Sequence, residues 1–153
     1  MITQIPQFFD RRLCNYLIAY FHETDNRVKH QPGVEVVRLH EQMHSESIKK
    51  IHAMLSHYGK DNYGKGHYIQ NFEIVRRTPG NIMGLHKDFK PHDHTMIVFL
   101  NDDYEGGECH IEGINVGAEV GKAVTFPGNQ LEHGVNEIYG KARYVLTCWW
   151  SAI

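Results

Sequence analysis

The sequence predicts a mainly β protein with N-terminal helices (α+β), whose larger part closes into a double-sheet jelly-roll barrel. Three observations carry this expectation. Two amphipathic, helix-length segments lie early in the chain, a series of short β-branched and aromatic runs separated by turn signals fills the rest, and no further helix-length segment follows them. At 153 residues the chain fits one domain spanning 1–153, with supporting helices over about 1–60 and the barrel core over about 67–150.

Phe8, Phe9, Leu13, Tyr16, Leu17 and Tyr20 recur at helical spacing behind a possible Asp10 N-cap, which predicts a helix over about 10–22. Pro32-Gly33 breaks the chain, and Val34, Val36 and Val37 suit a short strand. Ser45 or Ser47 caps a second helix whose apolar face is Ile48, Ile51, Met54 and Leu55, and Gly59 is expected to end it. The strands that follow are YIQNFEIVRR, TMIVFL, CHIEGI, AVTF and RYVLTCWW, divided by TPGN, NDDYEGG and PGN. Helices are thus expected first and sheet second.

Composition excludes several classes. With 41% apolar and 22% charged residues and no long apolar run, the chain reads as a globular protein without a membrane span. No basic segment followed by an apolar stretch and a cleavage site opens the sequence, so a cytoplasmic location is expected. Cys14, Cys109 and Cys148 form no CxxC pair and leave an odd count, which favours reduced thiols. A formal charge of -2 with dispersed Lys and Arg offers nucleic acid no basic stripe.

The anomaly is twelve histidines, since histidine is the commonest metal-ligating side chain. His86-Lys87-Asp88 puts an imidazole and a carboxylate two residues apart, on one face of an extended backbone. In so histidine-rich a chain that triplet carries little weight alone. His133, after the PGN turn, supplies a third ligand, and two histidines with one carboxylate make the facial triad of non-haem Fe(II) oxygenases, which leaves sites free for cosubstrate and O2. Arg143 follows ten residues later across a turn near Gly140. If these two strands form a hairpin, Arg143 points into the barrel beside the metal, where its guanidinium can grip a carboxylate through two parallel hydrogen bonds.

The segments GLHKDF, TMIVFLNDDYEGGECHI and GKAVTFPGNQLEHGVNEIYGKARYVLTCWW resemble the core of the prolyl 4-hydroxylase-like group of Fe(II)/2-oxoglutarate-dependent dioxygenases, over about residues 68–150. The resemblance implies a cupin-like double-stranded β-helix, Fe(II) held by His86, Asp88 and His133, and 2-oxoglutarate anchored at its far carboxylate by Arg143. It further implies a Thr95 hydroxyl assisting that anchor and Trp149 at the substrate mouth; the plain alternatives are a strand threonine and a core aromatic. The implied activity consumes O2 and 2-oxoglutarate, releases succinate and CO2, and hydroxylates a substrate C–H bond. A prolyl residue in a peptide or protein is the expected substrate, with a free amino acid or other small metabolite as the alternative. Members of the group often carry tyrosine in a Tyr-x-x-Gly pattern nine residues before the first histidine, and here that position is Arg77 of Arg77-Thr78-Pro79-Gly80. Arg77 offers a second cation for 2-oxoglutarate, a contact for an acidic substrate, or a place on a solvated face.

Two readings of other classes stand beside this one. A non-catalytic cupin-like metal- or ligand-binding protein would keep the barrel and lose the oxidation. His40-Glu41-Gln42-Met43-His44 matches HExxH, a zinc protease motif when both histidines share a helix face, but the β-branched residues upstream and the serine caps downstream argue against a helix there. His92 and His94 flank Asp93 in a region expected to be solvent-exposed, and Gly106-Gly107 is expected to make a tight turn instead of cradling phosphate.

Overall fold

A three-residue strand, β1 (Thr3–Ile5), precedes the first helix, α1 (Arg11–Glu23). The Asp10 carboxylate accepts from the Leu13 backbone N–H at 2.8 Å, a cap that contributes about 1 kcal/mol. Helical spacing then lines Cys14, Leu17 and Phe21 along one stripe, all fully buried, where each large apolar side chain stabilises the fold by about 1.5–3 kcal/mol. The computed structural model describes all 153 residues. Next come strands β2 (Arg27–Gln31) and β3 (Val34–Arg38), a 3-10 turn at Leu39–Glu41, and helix α2 (Glu46–Tyr63).

The remaining strands are β4 (His67–Arg77), β5 (Met83–His86), β6 (His94–Phe99), β7 (Glu105–Gly106), β8 (Cys109–Ile111), β9 (Ile114–Val116), β10 (Ala123–Phe126), β11 (His133–Val135), β12 (Ile138–Tyr139) and β13 (Arg143–Ala152). They form a seven-stranded antiparallel sheet in the order β1-β10-β6-β13-β4-β3-β2, a four-stranded sheet β5-β11-β8-β9 and a small pair β12-β7. The helices cover one face of the large sheet, and its other face looks at the smaller sheet across a cavity.

Alternation along the central strands divides the two faces. On β13, Leu146, Cys148 and Trp150 join α1 and α2 in one core, while Arg143, Val145, Thr147 and Trp149 line the cavity. On β4, Phe72 and Ile74 face the helices, and Glu73, Val75 and Arg77 face the cavity.

The jelly-roll expectation holds, and four details of it change. Strands β1, β2 and β3 enter the large sheet, so helices do not simply precede sheet; β2 shows no alternation because all five of its residues are exposed at the sheet edge. Ser45, and not Ser47, caps α2 by accepting from the Ile48 N–H at 3.4 Å. Gly59 lies inside α2, where a β-carbon would come within 2.2 Å of the Trp150 ring, and Gly64 with φ 120° ends the helix. The run CHIEGI is a hairpin, β8 and β9, turning at Glu112 and Gly113, both with positive φ.

Candidate metal centre and its cavity

His86 ends β5 and His133 begins β11, and the two residues are direct partners in the antiparallel ladder. This brings their rings to a centroid distance of 4.5 Å. Asp88 lies beyond the end of β5, so its alignment comes from elsewhere: its backbone N–H donates to the Gly128 carbonyl at 2.9 Å, and its Oδ2 accepts from the Thr95 hydroxyl at 2.5 Å. Gly128 is required there, because a β-carbon would come within 2.2 Å of both Asp88 Oδ2 and Thr95 Oγ1.

Each histidine uses Nδ1 to donate to a backbone carbonyl, His86 to Gly84 at 3.0 Å and His133 to Leu131 at 2.8 Å. Each Nε2 is thereby left for a second partner, the Asp88 carboxylate when it carries a proton and a metal when it does not. Both Nε2 atoms converge on Asp88 Oδ1, at 3.5 Å from His86 and 3.1 Å from His133. Ligands bonded at about 2.1 Å to one ion sit roughly 3 Å apart at adjacent coordination positions; the two contacts with Asp88 are near that separation, and all three ligand atoms lie within 4.8 Å of one another. Burial alone would raise the Asp88 carboxyl, but the hydrogen bonds with His133 and then His86, the His133 charge and the Thr95 hydroxyl reverse this and hold it below the usual carboxylate range. The His86 imidazole is raised, chiefly by its contact with Asp88.

The cavity beside this cluster has a volume of about 240 Å³ and is walled by both sheets. Its cationic end holds Arg143 and Arg77, paired across β13 and β4. Arg143 is 1% exposed, with Nε donating to the Gly107 carbonyl at 2.9 Å and a terminal nitrogen 3.3 Å from Cys109 Sγ. Arg77 donates to Asn81 Oδ1 at 2.8 Å, and burial followed by the Arg143 charge pulls it down to about 10. Neither guanidinium has a carboxylate within 4.0 Å, so this end of the cavity is a buried positive site suited to an anion.

The structure brings every sequence-predicted site residue to this cavity: His86, Asp88, His133, Thr95, Arg77, Arg143 and Trp149. The expected hairpin between His133 and Arg143 does not form, because β11 and β13 belong to different sheets; Arg143 reaches the cavity from the opposite wall. The Thr95 hydroxyl is engaged by Asp88. His92 is also not solvent-exposed: it is 9% exposed and stacks on Trp149 at 5.5 Å, with Phe89 edge-on beyond it. His94 is half-buried and stacks on Tyr63 at 3.8 Å. Tyr63 packs against the helical core and does not line the cavity. His40 sits in the 3-10 turn and His44 precedes the α2 cap, so the HExxH residues share no helix face. Gly106 and Gly107 both have positive φ but do not make the expected tight turn: Gly106 ends β7 opposite Ile138, and the Gly107 N–H donates to the Glu137 carbonyl at 3.0 Å. Cys14, Cys109 and Cys148 are buried free thiols, and no helix is long and apolar enough to cross a membrane.

Sequence reasoning missed Gly128, Arg38, Glu73 and His30. Gly128 was visible only as the middle of a PGN turn, and the others had no partner spacing, since strand register alone brings them to the cavity wall.

A jelly roll whose two sheets present a two-histidine, one-carboxylate cluster above a cationic pocket defines a class of metal-dependent oxygenase scaffold. Residues 53–151 match the model of the 2OG-Fe(II) oxygenase superfamily, and the chain belongs to that family. Fe(II), 2-oxoglutarate and O2 are accordingly its metal and cosubstrates. No curated protein sequence matches the chain. Among solved structures it is similar to a 2OG-Fe(II) oxygenase family oxidoreductase from Burkholderia pseudomallei, with TM-score 0.82 and 17% identity over 98% of this chain and 84% of that one. It is also similar to a prolyl-4-hydroxylase from Pseudomonas putida, with TM-score 0.79 and 17% identity over 99% and 92%. HygX from Streptomyces hygroscopicus, with nickel, 2-oxoglutarate and hygromycin B bound, gives TM-score 0.77 and 12% identity over 99% and 82%. At these identities the likeness shows the fold.

Proposed function

We propose that the chain is a 2-oxoglutarate-dependent C–H hydroxylase in which His86, Asp88 and His133 hold Fe(II) and Arg143 anchors the cosubstrate. The convergence of both Nε2 atoms on Asp88 Oδ1 carries the reading. Bound iron supplies O2 activation coupled to decarboxylation of 2-oxoglutarate to succinate and CO2, which leads to hydroxylation of the substrate.

The chain's own residues do the positioning. The Gly84 and Leu131 carbonyls set the two imidazole rings, and Thr95 and Gly128 fix the Asp88 carboxylate. The Gly107 carbonyl holds the Arg143 guanidinium so that its free N–H groups meet the far carboxylate of 2-oxoglutarate, and Arg77 adds a second positive charge. Trp149, backed by His92, forms an aromatic wall at the substrate side. The substrate is an amino- or imino-acid unit. Peptidyl proline is the case favoured by the similarity to a prolyl-4-hydroxylase, and a small molecule is the second reading, favoured by the Arg38–Glu73 pair in the cavity wall.

Anaerobic addition of Fe(II) and 2-oxoglutarate should give a visible charge-transfer band. His86→Ala should abolish it, and Arg143→Ala should weaken 2-oxoglutarate binding by roughly 10- to 100-fold, as the loss of charge-assisted hydrogen bonds predicts. Retention of both the band and the affinity in these variants would overturn the site assignment. Oxygen-dependent succinate release in the presence of prolyl peptides or free amino acids then separates a hydroxylase from a cupin-like binder.

A further inference from the structure

Two charged side chains in the cavity wall belong neither to the metal centre nor to the Arg77–Arg143 end. Arg38 on β3 and Glu73 on β4 are partners in the sheet, and Glu73 is in turn the partner of Thr147 on β13. All three line the cavity. Neither Arg38 nor Glu73 makes a side-chain hydrogen bond or an ion pair within 4.0 Å. A buried charge is costly unless a partner meets it, and here burial pushes the Glu73 carboxyl up to about 7 against the pull of Arg38 and Arg77.

Their place in the sheet separates them from the cosubstrate. The adjacent cavity-facing positions along the strands are Val36, Val75 and Val145, an entirely apolar row, and only beyond it come Arg77 and Arg143. Glu73 and Arg77 are four residues apart, roughly 13 Å along a strand, whereas the carbon chain of a five-carbon diacid spans roughly 5 Å. Glu73 and Arg38 also stand one and two strands to the side of β13, roughly 5 and 10 Å away. In the other direction the next cavity residue of β13 is Trp149, whose partner on β6 is Thr95, the residue that holds Asp88. A molecule seated on Arg38 and Glu73 therefore shares one cavity with the metal cluster and lies to the side of the Arg143 anchor.

Resting on the proposed hydroxylase chemistry, we infer that Arg38 and Glu73 form the substrate-reading subsite, and that the substrate is a small zwitterion, a free α-amino or imino acid whose carboxylate meets Arg38 and whose ammonium meets Glu73. One cation and one anion on neighbouring strands match the two charges of a free amino acid, which a peptide-bonded residue lacks. The Thr147 hydroxyl offers a third polar contact, and Trp149 packs against the side chain presented to the metal.

Calorimetry on the anaerobic Fe(II)–2-oxoglutarate protein tests this with the twenty proteinogenic amino acids, their N-acetyl and carboxamide forms, and a prolyl peptide. At least one free amino acid should bind, and capping either end should weaken it tenfold or more. Glu73→Gln should erase the penalty for N-acetylation, and Arg38→Gln that for amidation. The subsite is overturned if no free amino acid binds, if capped forms or the peptide bind as tightly, or if both penalties survive the substitutions. Failure of the wild type to bind 2-oxoglutarate would instead overturn the hydroxylase reading, so the two failures are distinct.

Discussion

The two faces of strand β13 obey opposite rules. Toward the helices it presents Leu146, Cys148 and Trp150, each fully buried among apolar neighbours. Toward the cavity it presents Arg143, Thr147 and Trp149, set among charges that burial disfavours. The first face satisfies the packing and hydrophobic terms that hold a fold together. The second keeps like charges side by side and unpaired side chains out of bulk water, arrangements that lower stability and suit ligands. One backbone thus separates folding from function by side-chain alternation alone.

Substitutions can break or sharpen that contrast. Leu146→Ala should cost the most stability, about 2–5 kcal/mol from lost transfer energy and a residual cavity, read as a lower thermal midpoint with 2-oxoglutarate affinity unchanged at a temperature where the variant is folded. A comparable loss of affinity would show that the faces are not separable. Gly128→Ala should act in the opposite way: its β-carbon pushes on Asp88 Oδ2 and Thr95 Oγ1, so metal affinity should fall by about 10- to 100-fold, as for other changes in supporting groups, in equilibrium titration with Fe(II) or Mn(II).

Glu73→Gln should give the smallest effect, and its sign is set by pH. Burial lifts the folded-state carboxyl to about 7 from an ordinary 4.5, so between those values the folded protein binds a proton that the unfolded chain releases. Stability contributed by that proton is present at low pH and is lost as pH rises through about 7. The amide does not titrate, so the midpoint of the variant relative to wild type should climb between pH 5 and pH 8, by roughly 2–4 °C if about 1 kcal/mol is involved. A flat difference across that range would show that Glu73 is paired in solution.

How much of this was legible in the sequence follows the same division. Helix α1 was readable because Asp10 and the Cys14, Leu17, Phe21 stripe obey local rules. The jelly roll was readable from its short strands, and the chain order His86, Asp88, His133, Arg143, Trp149 led to residues that all meet at one cavity. What escaped depends on contacts between distant segments. Gly59 looked like a helix stop because nothing local reveals the Trp150 ring against it. The spacing of His133 and Arg143 suits a hairpin, yet their strands lie in opposing sheets. Arg38 and Glu73 become neighbours only through the β3–β4 register.

The smaller sheet holds a final consequence. Strand β5 is a four-residue edge strand, joined to β11 at only two partner positions, His86 with His133 and Met83 with Val135, with a bulge between them. So short a ladder opens at far less cost than global unfolding. An ion held as proposed would rivet one of those two positions, so iron would fasten the rim of the barrel as well as activate oxygen. Amide hydrogens across Met83–His86 should then exchange with solvent more slowly in metal-loaded protein than in chelated protein.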